Sequence, residues 1–187
     1  YKAVRLLDEA SVLACSAYVD LNPIRAALAE NLVGSKHTSA QRRAISSASR
    51  RKAAAKHCHR ELSDSFLAPV KLDNLRQEPG PCPSTTNNRC SDKGFACISA
   101  ETYLELLDWT AQRKIHEESE LIPNSTANVL ARLGLTASSW FCMANEFGRL
   151  FRSVAGMPSQ IDAERSLVTK KPFRVARKAR EVLESLG

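Results

Sequence analysis

The chain has 187 residues, 43% of them apolar, 25% charged and 6% aromatic, with a net charge of +7. That is an ordinary globular composition with a largely aliphatic core. No apolar run approaches the roughly 18 residues of a membrane span, Asp8 and Glu9 interrupt the basic-then-apolar start of a signal peptide, and the six cysteines include no Cys-x-x-Cys. A membrane partner, a disulfide scaffold and a zinc template are excluded on these grounds, and the expectation is a cytoplasmic, mainly α protein.

Residues 8–21 read as a helix, with Asp8 and Glu9 in the first turn and Val12, Leu13, Cys15, Ala17 and Val19 making it largely apolar. Asn22-Pro23 punctuates it, and a second short helix is expected from Pro23 to about Glu30. Thr38-Ser39-Ala40-Gln41 has capping-box spacing and predicts a helix running to about His57. Its only large aliphatic is Ile45, so it has little to bury and would be marginal without a partner. From Glu61 to Ile98 periodicity is lost. Pro79, Gly80, Pro81 and Pro83 lead into Ser84-Thr85-Thr86-Asn87-Asn88, a linker composition that sets a domain boundary here.

Order returns at Ser99, which caps a helix striped by Leu104, Leu107, Ala111 and Ile115. Pro123 introduces a short helix that Gly134 stops. Trp140, Met143, Ala144, Phe147, Leu150, Phe151 and Val154 then recur at helical steps until Gly156. A final helix shows Val175, Ala176, Ala179, Val182, Leu183 and Leu186 on one face, with Arg174, Arg177 and Lys178 away from it. Residues 99–187 thus read as a small helical bundle following a basic helix over 37–60 and a linker over 61–98. No strand is expected anywhere.

Charge is unevenly spread. Between Glu30 and Glu61 there is no acid, yet Lys36, Arg42, Arg43, Arg50, Arg51, Lys52, Lys56 and Arg60 occur. Between Glu164 and Glu181 the same holds for Arg165, Lys170, Lys171, Arg174, Arg177, Lys178 and Arg180. These two segments hold 15 of the 27 basic residues, leaving the rest net acidic. Clustering of this kind suits a polyanion, because each neutralised phosphate releases counterions. A solvated basic stretch is the plainer alternative for the first cluster. The C-terminal helix is the better anchored candidate, since its apolar face can dock on the bundle.

The most specific run is Ala17-Tyr18-Val19-Asp20-Leu21-Asn22-Pro23-Ile24-Arg25-Ala26-Ala27-Leu28. Tyr18 and Asn22 are four residues apart and share a face if the helix persists to the cap. On the residues alone Tyr18 also reads as a core aromatic and Asn22 as a helix cap. The run, with Thr38-Ser39-Ala40 after it, resembles the catalytic-tyrosine segment of single-tyrosine HUH transposases, particularly the REP-associated branch. Beyond the linker, Thr102 to Thr110, Ile122-Pro123, Leu130 to Leu135 and Trp140 look like the C-terminal extension of a bacterial subgroup. The likeness covers most of 1–36 and 99–156.

The resemblance implies that residues 1–36 are the tail of an α/β HUH nuclease domain. It also implies that Tyr18 attacks single-stranded or hairpin DNA to give a 5′-phosphotyrosine link that conserves bond energy for rejoining. Asn22 matches a position that in relatives can contribute an amide ligand to a magnesium or manganese ion, and Arg25 a recurrent basic residue. DNA contacts would come from Arg25, Arg42, Arg43, Arg50, Arg51, Lys170, Lys171, Arg174, Arg177 and Lys178. In the family a His-hydrophobic-His pair on a strand before the tyrosine binds the metal; no histidine precedes His37 here. The expectation is therefore a C-terminal part of such an enzyme, binding no metal and inactive alone. A non-catalytic DNA-binding or regulatory module and a decayed insertion-sequence remnant are the rivals.

Two features depart from or imitate the family pattern. Glu117-Glu118-Ser119-Glu120 stands where relatives carry a basic, glycine-containing stretch. His57-Cys58-His59 satisfies the histidine formula but follows the tyrosine at the end of a Lys/Arg/Ala-rich helix, where the two rings would diverge. No P-loop, Ser/His/Asp arrangement or dinucleotide fingerprint occurs.

Overall fold

The structure, a computed structural model, describes residues 3–54, 64, 66–74, 91, 93–115, 122–167 and 177–184. Among these it is mainly helical: β1 (Arg5–Leu6), α1 (Glu9–Asp20), α2 (Asn22–Arg25), α3 (Ser39–Ala54), α4 (Ala100–Ile115), α5 (Asn124–Arg132), α6 (Ala137–Leu150), β2 (Val154–Ala155), α7 (Pro158–Leu167) and α8 (Arg177–Glu184). None of the described helices is long and apolar enough to cross a membrane. Contacts divide the chain into two compact units, one formed by residues 1–18 with 127–187 and the other by 19–126.

The first unit is closed by the parallel pair β1–β2, in which Arg5 lies opposite Val154 and Leu6 opposite Ala155. The periodicity predicts no strand, and two residues are too few to leave a period-2 signature. Asp8 caps α1: its Oδ1 accepts from Ser11 N (2.8 Å), while Ser11 Oγ accepts from Asp8 N (3.3 Å). The other carboxylate oxygen accepts from Met157 N. Gly156 leaves room there, since a Cβ would stand 3.0 Å from Asp8 Oδ2 and 3.1 Å from Leu7 Cβ, closer than ordinary contact.

Thr136 caps α6 by accepting from Ser139 N (3.2 Å). The α6 stripe Trp140, Met143, Ala144, Phe147 and Leu150 is buried as its spacing predicts. The helix itself stops at Leu150 after a kink at Glu146 (φ −112°, ψ 18°). The stripe runs on in the sequence because Phe151, in extended chain, is buried as well. The short helix α7 has no counterpart in the sequence reading; its only fully buried side chain is Ile161, too little for a stripe. Helix α8 packs on α6 and α7 through Ala179 and Leu183.

In the second unit α2 ends at Arg25 instead of near Glu30. Ala27 turns left-handed (φ 55°) and Leu28 is 81% exposed, so nothing apolar holds a longer helix down. Thr38 caps α3, accepting from Gln41 N (3.1 Å), while Gln41 Oε1 accepts from His37 N (3.2 Å). The forward bond of the box forms as its spacing predicts, and the return bond goes to His37 N instead of Thr38 N. Helix α3 packs on α4 and buries Ala40, Arg43 and Ser46, so a partner that its composition does not announce holds it.

Ser99 caps α4 by accepting from Thr102 N (3.1 Å). The irregular segment expected over 61–98 contributes two hydrogen-bonded pieces. Leu72 N donates to Ala96 O (2.7 Å) and Ala96 N to Val70 O (2.9 Å), with Val70, Ala96 and Ile98 buried. Gly94 makes this approach possible: its φ is +75°, and a Cβ would lie 2.1 Å from Lys71 O. Residues 75–90, the heart of the expected linker, lie outside the described residues.

Candidate functional site

Tyr18 stands in the last turn of α1 and is half-buried in the first unit. Its ring meets Phe147 of α6 at 6.0 Å between centroids, tilted by 39°, and Phe147 meets Phe151 at 4.9 Å. Next to Phe147, Gly148 leaves room for the phenol: a Cβ there would lie 3.2 Å from the Tyr18 hydroxyl oxygen. Tyr18 is thus neither a fully buried core aromatic nor a surface residue.

Asp20, two residues on and in the second unit, is 3% exposed. Ser39 Oγ donates to both its oxygens (3.0 and 2.8 Å), Ala40 N to Oδ1 (3.2 Å) and the Tyr103 hydroxyl to Oδ2 (2.9 Å). The sequence reading passes over Asp20, although one signal was there. An acid in the last turn of a helix opposes the macrodipole of that helix. It pays where it serves the N-terminus of another helix, here α3.

Asn22 opens α2 in the second unit and is exposed. It does not cap that helix: Leu21 precedes it with helical dihedrals and no side-chain cap bond forms. Instead its Oδ1 accepts from Arg25 Nη2 (3.3 Å). A divalent metal at Asn22 would meet one neutral amide oxygen beside a guanidinium, a donor set that does not fit such an ion. Among the described residues no group of three or more histidines, cysteines or acids is placed to hold a metal ion, and His57-Cys58-His59 lies outside them.

The basic residues sort by environment. Arg42, Arg51 and Lys52 are exposed on α3. Arg51 lines a groove of 530 Å³ between α3 and α4, across from Glu101, Glu105 and Asp108. Arg50 pairs with Asp64 (3.0 Å). Arg43 is buried, donates through Nη2 to Ala68 O (2.8 Å) and lies 5.8 Å from the centre of the Phe95 ring. Its guanidinium therefore fastens the 66–74 piece to α3, and its burial keeps it from a phosphate. In α8, Arg177 pairs with Glu181 (2.7 Å) and Lys178 with Glu146 of α6 (2.7 Å). Lys170, Lys171 and Arg174 lie outside the described residues.

The Lys178 hydrogen bond holds the Glu146 carboxyl below its ordinary range, with the charges of Lys178 and Arg149 adding to it. Burial pushes the Cys142 thiol up, as does the charge of Glu146, against Lys178. Cys15 is raised by burial. Both thiols are the less reactive for it and behave as small apolar groups.

No family model, no curated protein and no solved structure matches the chain.

Proposed function

We propose that this chain is part of a single-tyrosine HUH DNA transposase in which Tyr18 is the attacking residue. The carrying observation is the position of Tyr18. It carries the one hydroxyl of the run 17–28, and it sits half-exposed at the end of α1, its hydroxyl beside a glycine. In the reaction the phenol oxygen bonds to phosphorus of single-stranded DNA and the 3′-oxygen leaves, so one phosphoester replaces another and rejoining stays possible. A neutral phenol is a poor nucleophile until it is activated. The resemblance implies a metal, held by a His-hydrophobic-His pair, that polarises the phosphate under attack.

The test places a His-hydrophobic-His nuclease segment of the family ahead of this chain in one polypeptide. A polypeptide carrying an in-frame His-hydrophobic-His segment should form a covalent adduct with single-stranded DNA in magnesium or manganese, and Tyr18→Phe should abolish it. An adduct that survives Tyr18→Phe, or no adduct from the polypeptide that carries the histidine pair, overturns the proposal.

A second reading, a non-catalytic DNA-binding module, is favoured by the exposure of Arg42, Arg51 and Lys52 on an acid-free helix. It predicts salt-sensitive DNA binding that Tyr18→Phe leaves unchanged, with no adduct in any context.

A further inference from the structure

Gly148 is out of place by ordinary helix rules. It lies inside α6, is exposed, and its φ is not in the left-handed range. Its backbone therefore gives no reason for glycine, and alanine would favour the helix. The neighbour that does give a reason is Tyr18. A Cβ on Gly148 would meet the hydroxyl oxygen at 3.2 Å and Cζ at 3.7 Å, the first closer than an ordinary van der Waals contact and the second ordinary.

The preceding residue, Phe147, is 3% exposed and is backed by Phe151, so it presents a fixed face to the Tyr18 ring. Glu146, one residue earlier, carries the kink of α6 and is tied to α8 through Lys178. Three consecutive residues thus meet three needs: an anchored bend, a ring to lie against, and an absent side chain where the hydroxyl ends.

We infer that Phe147 and Gly148 form a seat that positions the Tyr18 hydroxyl, Phe147 fixing the ring and Gly148 leaving the oxygen its space. As a device for catalysis this rests on reading Tyr18 as the attacking residue. The seat itself is tested without DNA, so the two can fail separately.

Gly148→Ala is made in the native chain and in Tyr18→Phe, and the four thermal midpoints are compared. With the hydroxyl gone, the added methyl meets only ordinary contacts, and helix propensity should raise the midpoint by about 2 °C. With the hydroxyl present the same substitution should fail to raise it or should lower it. Equal shifts in the two backgrounds overturn the seat.

A spectroscopic readout separates positioning from stability. The chain has three tyrosines, Tyr1, Tyr18 and Tyr103. In 3-fluorotyrosine-labelled protein, assigned with Tyr18→Phe, Gly148→Ala should displace the Tyr18 fluorine signal and leave that of Tyr103 in place. A Tyr18 signal that stays put, or joint movement of both, overturns the proposal.

Discussion

Asp20 shows how one side chain can join several pieces of backbone. Its carboxylate lies at the start of α3, where the positive end of the helix dipole favours it, and it also accepts a hydrogen bond from the buried Tyr103 hydroxyl. Removing it strands donors that water cannot reach. Asp20→Ala should therefore cost about 2–4 kcal/mol in urea unfolding. Tyr103→Phe removes one donor together with its bond and should cost less, about 1–3 kcal/mol. Combined, the two should couple, because each removes a partner of the other. Strict additivity would show that the hydroxyl and the carboxylate do not depend on one another.

At the scale of elements, the Glu146–Lys178 pair links α6 to α8 at the kink. The carboxyl is held below its ordinary value when folded, so the pair contributes fully above about pH 5 and fades as pH falls through the lowered value. Both side chains are substantially exposed, 33% and 52%, which limits the contribution to about 1 kcal/mol at most. Lys178→Ala should return the Glu146 midpoint upward in an NMR titration and lower stability near neutrality by no more than that. An unmoved midpoint would mean that Lys178 does not hold the carboxylate.

The elements themselves were unequally legible in the sequence. Helices α1, α4, α5 and α6 declare themselves through caps and stripes such as Ser99, Gly134 and Trp140 to Leu150. Helix α7 and the β1–β2 pair do not, because one buried isoleucine or two residues of strand carry no period. Tyr18 was legible from a short motif. Its seat was not: Phe147 reads only as one more member of an apolar stripe, and Gly148 acquires meaning only once the far end of the chain lies against the tyrosine.

For the whole molecule, the net charge of +7 is effective only where basic groups are both exposed and exchangeable. Arg42, Arg51 and Lys52 meet the first condition on α3. On the proposed DNA-binding reading, replacing all three by glutamine should weaken binding to single-stranded DNA across sequences and flatten the log–log salt slope by about two. Arg177 and Lys178 must first leave Glu181 and Glu146. Exposed pairs of this kind cost little to exchange, so their double substitution should flatten the slope by about one. Arg43→Gln should act differently, lowering stability by loosening the 66–74 piece. A salt slope unmoved by the α3 triple would remove that helix from the interface.

The closure of the first unit by β1 and β2 bears on the order in which the protein can come into being. Arg5 N bonds to Ser153 O and Leu7 N to Ala155 O, so partners from opposite stretches of the chain must meet across residues 19–126. A ribosome adding roughly 5–20 residues per second makes Leu6 wait on the order of ten seconds for Ala155. Throughout that wait Leu13, Ala14 and Ala17 of α1 lack the first-unit residues from 127 onward. The nascent chain is thus open to a chaperone or to aggregation until residues 127–155 have been added. A polypeptide halted before Gly148 would carry Tyr18 with no place for it to rest.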